Sequence, residues 1–129
     1  MTLYRIHADE SGETRLTEID LSKFENPEIT NTRVEGLLGI PATTFSLASM
    51  VERQTDDSLH AAPWRQFLVM LQGENEIIAT SGDRCLLERG DVLFTDDVGT
   101  KGHYSRDCGK EHMVMLSVRV PDDWAIPDK

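Results

Sequence analysis

Two segments, HAAPWRQFLVMLQG (60–73) and LERGDVLFTDDVGTKGHY (87–104), decide how this chain folds. The run QFLVML (66–71) is apolar apart from its glutamine, which is typical of a strand that is covered on both faces. The second segment places a Gly-Asp turn before another apolar run. His60 begins the first segment, and His103 lies near the end of the second. This layout predicts two strands that each bring a histidine to one pocket.

The rest of the chain also carries strand patterns. Residues 76–88 hold two apolar runs around the tight turn Ser81-Gly82-Asp83, which predicts a hairpin. The other predicted strands are 3–7, 14–21, 42–51, 92–95, 103–106 and 111–120, and the predicted loops include 22–33 and 52–58. Helix-period patterns are nearly absent, so the sequence favours an all-β barrel or sandwich. We expect the tail after Pro121 to be loosely held, with Trp124 as its anchor.

Composition limits the possible partners. The 129 residues fit one domain, and they carry a net charge of −10 with a pI near 4.7. An acidic surface repels phosphates and anionic lipids, so we expect neither nucleic acid nor a membrane as a partner. No apolar run approaches the roughly 20 residues that cross a bilayer, and residues 1–12 lack the apolar core of a secretory signal. Cys85 and Cys108 form no CxxC pair, so we expect free thiols in a cytoplasmic protein.

The segment 71–104 resembles the cupin family, whose small jelly-roll barrels carry two short motifs. In the first motif, two histidines and a glutamate precede an apolar strand that ends in glycine. In the second, a Gly-Asp precedes an apolar strand, a glycine turn and a third histidine. His60 matches the first histidine and His103 the last. The other motif positions are held by Ala62 (second histidine), Gln66 (glutamate), Gly73, Gly90, Asp91 and either Gly99 or Gly102.

The resemblance implies a fold and an assembly. It covers residues 42–120, which would form the core of a single cupin-like jelly-roll domain spanning 1–129. Strands within 3–21 would pair at the barrel edge or at a dimer interface. More narrowly, PATTF (41–45) and GTKGH (99–103) are similar to small bacterial single-domain cupins of no settled activity, and this likeness implies a homodimer.

The resemblance also implies a metal site at His60, Gln66 and His103. Cupin metal sites usually offer three imidazoles and a carboxylate, and such ligands suit a divalent transition metal such as Fe, Mn, Ni or Zn. In this chain Ala62 cannot bind a metal, and Gln66 offers a neutral oxygen in place of a charged one. The alternative is a metal-free pocket in which these polar groups bond to each other or to water.

Side chains alternate along a strand, so an inward Gln66 places every second neighbour inward as well. The residues that we predict to line the pocket beside the metal candidates are Trp64, Leu68, Met70 and Ser105. Trp64 has a second interpretation as a core residue, because aromatic side chains dominate protein cores. Phe67, Val69 and Leu71 would point outward, and would be covered either by the protein itself or by a partner subunit.

Other ionisable groups have an ordinary structural explanation. His112 would join the site if its side chain pointed inward, but strand histidines more often pack or lie on the surface. His7 lies in the N-terminal segment, far along the chain from the predicted pocket. Asp96 and Asp97 precede His103 and could reach a metal from outside, but acids in such loops usually remain solvated or cap the backbone.

Two classes of function fit this sequence. The first is a metal-dependent enzyme, for which the resemblance implies oxygenation, isomerisation or decarboxylation of a small polar metabolite. The second is a binding module that holds a small molecule without turnover, as a sensor or carrier. An apolar lining with a few convergent polar groups is compatible with both, so the sequence leaves the choice open.

Overall fold

The computed structural model describes residues 1–52 and 58–127, and their fold is all-β. The strands are β1 (Leu3–Ala8), β2 (Thr14–Ile19), β3 (Thr44–Ser49), β4 (Gln66–Gln72), β5 (Asn75–Ala79), β6 (Arg84–Leu87), β7 (Val92–Asp96), β8 (His103–Asp107) and β9 (Val114–Arg119). These residues include no α-helix, and the loop predicted at 22–33 begins within a short 3₁₀ turn (Leu21–Lys23). The predicted all-β class is therefore confirmed. Most of the loop predicted at 52–58 lies outside the described residues.

The strands form two sheets. One has six strands in the order β2-β1-β7-β4-β9-β3, and the other has three in the order β6-β5-β8. The hairpin predicted at 76–88 is confirmed, because β5 and β6 pair antiparallel with Ile77 opposite Cys85. Side chains from both sheets share one core, in which Met70 and Leu93 of the larger sheet pack with Ile77 of the smaller one. The space between the two sheets therefore holds a hydrophobic core.

Strand register decides which residues face this interior. Residues directly opposite each other in an antiparallel pair share a face. Gln66 lies opposite Thr95 of β7, and Leu68 lies opposite Leu93. The predicted alternation of side chains along β4 is therefore confirmed, and Gln66, Leu68 and Met70 lie on its inner face.

The outer face of β4 is covered in part by the C-terminal tail. Phe67 is 8% exposed and stacks on Phe94, with 4.6 Å between the ring centroids. Trp124 packs against both rings at 5.8 and 5.7 Å. The predicted anchoring role of Trp124 is confirmed. The protein's own tail thus covers Phe67, whereas Leu71, also predicted to point outward, is 43% exposed.

At β3, the outer face of the larger sheet is exposed to solvent. β3 is the last strand of the larger sheet, and all six of its residues are exposed. Phe45 is 70% exposed and Leu47 69%. They lie opposite Val118 and Leu116 of β9, which places them on the same face as Phe67. Exposed apolar area on the outer face is thus concentrated at β3.

β3 and β9 are shorter than the strands predicted at 42–51 and 111–120. The two strands pair over the same six rows, from Thr44 with Arg119 to Ser49 with Val114, and both end where this pairing ends. Strand patterns in the flanking residues did not reveal that limit, because it depends on the partner strand.

The structure also bears on the expectations about the two cysteines and about a membrane. Neither cysteine forms a disulfide: Cys85 is buried and Cys108 is exposed. Burial raises the pKa of the Cys85 thiol to about 12, which makes it unreactive at neutral pH. Among the described residues, no helix has the length and apolar character needed to cross a membrane.

Candidate functional site

A cavity of about 160 Å³ lies between the two sheets. Its apolar wall includes Met50, Leu68, Ile77, Leu93, Met113 and Met115. Its polar lining consists of His60, Gln66, Asn75, Thr95, His103 and Ser105. A mostly apolar cavity with a few convergent polar groups is the usual form of a small-molecule site.

A larger depression of about 630 Å³ lies at the turns that follow β4 and β6. It is lined by turn backbone and by charges of both signs, including Glu74, Glu88, Arg89 and Lys110. Such mixed, solvated charge at an open surface is ordinary protein surface, so we regard the cavity between the sheets as the candidate site.

The segment that precedes β4 brings His60 beside His103. Each of the two residues donates its backbone N–H to the carbonyl of the other, both at 3.0 Å. Their ring centroids are 4.8 Å apart. Gly102 allows this approach: it adopts φ +87°, and a Cβ atom there would lie 2.4 Å from the carbonyl carbon of His60. Only glycine combines that φ with so little space.

Asp97 fixes the orientation of His103. The His103 Nδ1 lies 2.5 Å from Asp97 Oδ2, and the two residues are only 4% and 0% exposed. The second carboxylate oxygen accepts the backbone N–H of Ala62 at 3.4 Å. A carboxylate only accepts hydrogen bonds, so His103 donates through Nδ1, and in the neutral imidazole Nε2 is then the acceptor. The expectation that Asp97 is solvated is wrong, whereas its bond to the Ala62 N–H is a backbone cap of the kind expected as the alternative.

His60 has the same tautomer for a different reason. Its Nδ1 lies 3.2 Å from the carbonyl oxygen of Ser58, which can only accept, so Nδ1 is the donor. Neither His60 Nε2 nor His103 Nε2 has a hydrogen-bond partner within residues 1–52 and 58–127. The cavity is thus lined by two imidazoles, each with an Nε2 acceptor available to a ligand.

Gln66 is held from outside the cavity. Its Oε1 accepts the indole N–H of Trp64 at 3.0 Å, which leaves its amide N–H groups for other partners. Trp64 itself is 41% exposed, and the Arg119 guanidinium lies 4.9 Å from its ring centroid. The interpretation of Trp64 as a core residue is wrong, and it does not line the cavity.

The remaining predicted pocket residues divide into two groups. Leu68 and Ser105 line the cavity. Met70 is 1% exposed and belongs to the packed core rather than to the cavity lining. Neither of the other two histidines lines the cavity. His112 is exposed, and His7 bonds to Thr17 Oγ1 at 2.8 Å on the outside of β1.

Asp96 belongs to an ion cluster beside the site. It contacts Arg5 at 2.6 Å and Arg65 at 2.7 Å, and the Arg65 side chain is only 14% exposed. Burial acts to raise the pKa of Asp96, but the hydrogen bonds from Arg65 and Arg5 outweigh burial and hold it below its ordinary value. Arg65 also donates to the Trp124 carbonyl and so ties the tail to this cluster. The expectation that Asp96 is solvated is wrong.

The polar lining does not make a complete metal site. Within the described residues, no group of three or more His, Cys, Asp and Glu side chains could hold a metal ion. His60 and His103 supply two nitrogens and Gln66 an amide oxygen, while the carboxylate of Asp97 is committed to His103. An anionic ligand is therefore missing from the donor set.

Sequence reasoning missed two parts of the site. Asn75 lines the cavity, and its parity with the inward-facing Ile77 of β5 could have revealed this. The contact between Asp97 and His103 had no sequence signal, since it depends on the turn 97–100, in which Thr100 donates to the Asp97 carbonyl.

No known family model matches this chain, and no curated protein is significantly similar to it.

Proposed function

We propose that this protein is a cupin-like jelly roll that binds a small molecule between its two sheets. The observation that carries this proposal is the pair of Nε2 acceptors on His60 and His103 at a cavity with an apolar wall. The ligand donates a hydrogen bond to this pair and lays its apolar part along Leu68 and Ile77. The two free thiols support a reducing compartment, such as the cytoplasm.

The size of the cavity limits the ligand. An apolar cavity of about 150 Å³ is known to hold a benzene molecule. The cavity here has about 160 Å³, so its ligand has on the order of six to ten non-hydrogen atoms.

Straight-chain alcohols of four to eight carbons, with their methyl ethers, test the proposal. We expect an alcohol to shift the NMR signals of Leu68, Ile77 and the His103 ring, and to bind more tightly than its ether, which has no donor. Leu68→Phe should fill the cavity and abolish binding, whereas the exposed Leu86→Phe should not. If no alcohol shifts these signals at millimolar concentration, the cavity is not a small-molecule site.

Metal-dependent catalysis is the second candidate function. Metal-binding histidines nearly always donate their other ring N–H to a carboxylate or a carbonyl, as His103 and His60 do here. Oxygenation, isomerisation or decarboxylation of a small polar metabolite would then be the class of reaction. Elemental analysis of protein purified without chelator tests this candidate. Metal-dependent catalysis predicts near-stoichiometric Fe, Mn, Ni or Zn in the unaltered protein, and the loss of this metal in the double variant His60→Ala/His103→Ala.

We also propose a homodimer. The exposed apolar residues Phe45 and Leu47 support it, because apolar area of this kind commonly marks an interaction site. β3 has no charged residue, although the chain as a whole carries −10. Two copies would thus meet where their mutual repulsion is least.

A further inference from the structure

The cavity has an unsatisfied polar atom at a second position. Asn75 is 6% exposed, and its Oδ1 is buried with no hydrogen-bond partner among the residues that the structure describes. The side chain lines the same cavity as His60 and His103. Buried polar atoms nearly always have a partner, so a buried acceptor without one, in a residue that lines a cavity, points to a group that reaches it from the cavity.

Asn75 lies far from the histidines along the smaller sheet. In the pairing of β5 with β8, Asn75 is opposite Asp107, whereas Ala79 is opposite His103. The two rows are four residues apart, which is about 13 Å along a strand. Between them Ile77 lines the cavity. Ser105 lies opposite Ile77 and also lines the cavity, which therefore has an acceptor at each end and a middle that is apolar apart from one hydroxyl group.

This arrangement defines the chemistry of a matching ligand. Both ends accept hydrogen bonds, through the Nε2 atoms of His60 and His103 at one end and through Asn75 Oδ1 at the other. A charged ammonium group would be costly to bury in so apolar a space, whereas a hydroxyl group is neutral and can donate.

Building on the proposed function, we infer that Asn75 is a second ligand anchor and that the ligand is a small diol-like molecule. Such a molecule has an apolar middle and one hydroxyl donor at each end. Its second hydroxyl meets Asn75 Oδ1, so that both of its polar ends are satisfied on binding. An ordered water at Asn75 is the competing explanation, and it predicts no preference for the second hydroxyl.

Straight-chain α,ω-diols of four to eight carbons, each compared with its mono-alcohol, distinguish these explanations. If the cavity offers no second hydrogen-bond partner, burying the second hydroxyl of the diol weakens its binding relative to that of the mono-alcohol. We expect the diol to bind at least as tightly as the mono-alcohol at one chain length, and Asn75→Leu to lower the ratio of diol to mono-alcohol affinity about tenfold. Gln72→Leu is the matched control, since this amide bonds to the His112 carbonyl and lies outside the cavity lining.

The outcomes separate this inference from the proposed function. If mono-alcohols bind but every diol binds more weakly, or if Asn75→Leu leaves the ratio unchanged, the anchor role of Asn75 is refuted and the cavity remains a binding site. If neither class binds, both proposals fail.

Should Asn75→Leu not fold, the side-chain amide signals of Asn75 in the unaltered protein provide a second measurement. They should shift on addition of the matching diol and remain in place with the mono-alcohol. Equal shifts with both compounds would overturn the inference.

Discussion

His60 and His103 exchange two backbone hydrogen bonds of 3.0 Å, and this bridge holds their imidazole rings 4.8 Å apart. The bridge joins the segment before β4 to the first residue of β8, so the two sheets are linked at the candidate site itself. Both histidines place Nδ1 against a hydrogen-bond acceptor, so that Nε2 is the acceptor of each neutral ring. The polar end of the cavity is thus organised before any ligand enters.

Gly102 should be the most sensitive glycine at this bridge. In Gly102→Ala the new Cβ would overlap the His60 carbonyl, whereas in Gly99→Ala it would meet no atom within 4 Å. Both glycines have positive φ, +87° and +74°, so the two variants share the conformational cost of about 1 kcal/mol. We expect Gly102→Ala to lower the free energy of unfolding by about 2 to 3 kcal/mol more than Gly99→Ala. Urea unfolding measures the difference, and equal losses would show that the His60 segment simply moves away.

Asp97 should control the tautomer of His103. The carboxylate forces the ring proton onto Nδ1, whereas an amide in Asp97→Asn can donate to Nδ1 and shift the proton to Nε2. In long-range ¹H–¹⁵N spectra at neutral pH, we expect an Nδ1-protonated ring in the unaltered protein and an Nε2-protonated fraction in Asp97→Asn. Binding of alcohol probes should weaken in parallel, because the acceptor at Nε2 is lost. An unchanged tautomer together with unchanged binding would remove Asp97 from the site.

Strand alternation predicted the parts of the site that depend on sheet geometry alone. Gln66, Leu68 and Ser105 line the cavity because side chains along a strand have a period of two. The same rule cannot place Asp97, whose contact with His103 follows from a turn, nor Trp124, whose contact with Phe67 follows from the path of the tail. The first contact depends on the conformation of a turn and the second joins segments far apart in the chain, and strand patterns carry no information about either.

Asp96 should make stability depend on acid pH. The pKa of this carboxyl is lower in the folded protein than in the unfolded chain, where an aspartate has about 3.9. Its ionisation therefore stabilises the fold above that value, and this contribution disappears as the pH falls through the lowered folded value. We expect Asp96→Asn to cost about 1 to 3 kcal/mol at pH 7, because it leaves Arg5 and Arg65 without their shared carboxylate.

The pH dependence itself is the sharper measurement for Asp96. The difference in unfolding free energy between Asp96→Asn and the unaltered protein should shrink steadily below about pH 4. The exposed Asp123→Asn, which lies outside this ion cluster, serves as the control and should show only a small difference. A constant difference for Asp96→Asn would mean that the ion cluster does not stabilise the folded state.

β3 should carry the interface of the proposed homodimer. Its outer edge has no strand beside it within the described protein, and Phe45 and Leu47 extend the apolar outer face beyond the part that Trp124 covers. A second copy that meets this strand across a two-fold axis would bury the same residues on both sides. Leu47→Lys would place a charge there and should convert a dimer to a monomer in sedimentation at micromolar concentration. Leu86→Lys, also exposed and on the edge strand β6, should leave the dimer intact. A monomeric unaltered protein would refute the dimer, and a dimer that survives Leu47→Lys would move the interface away from β3.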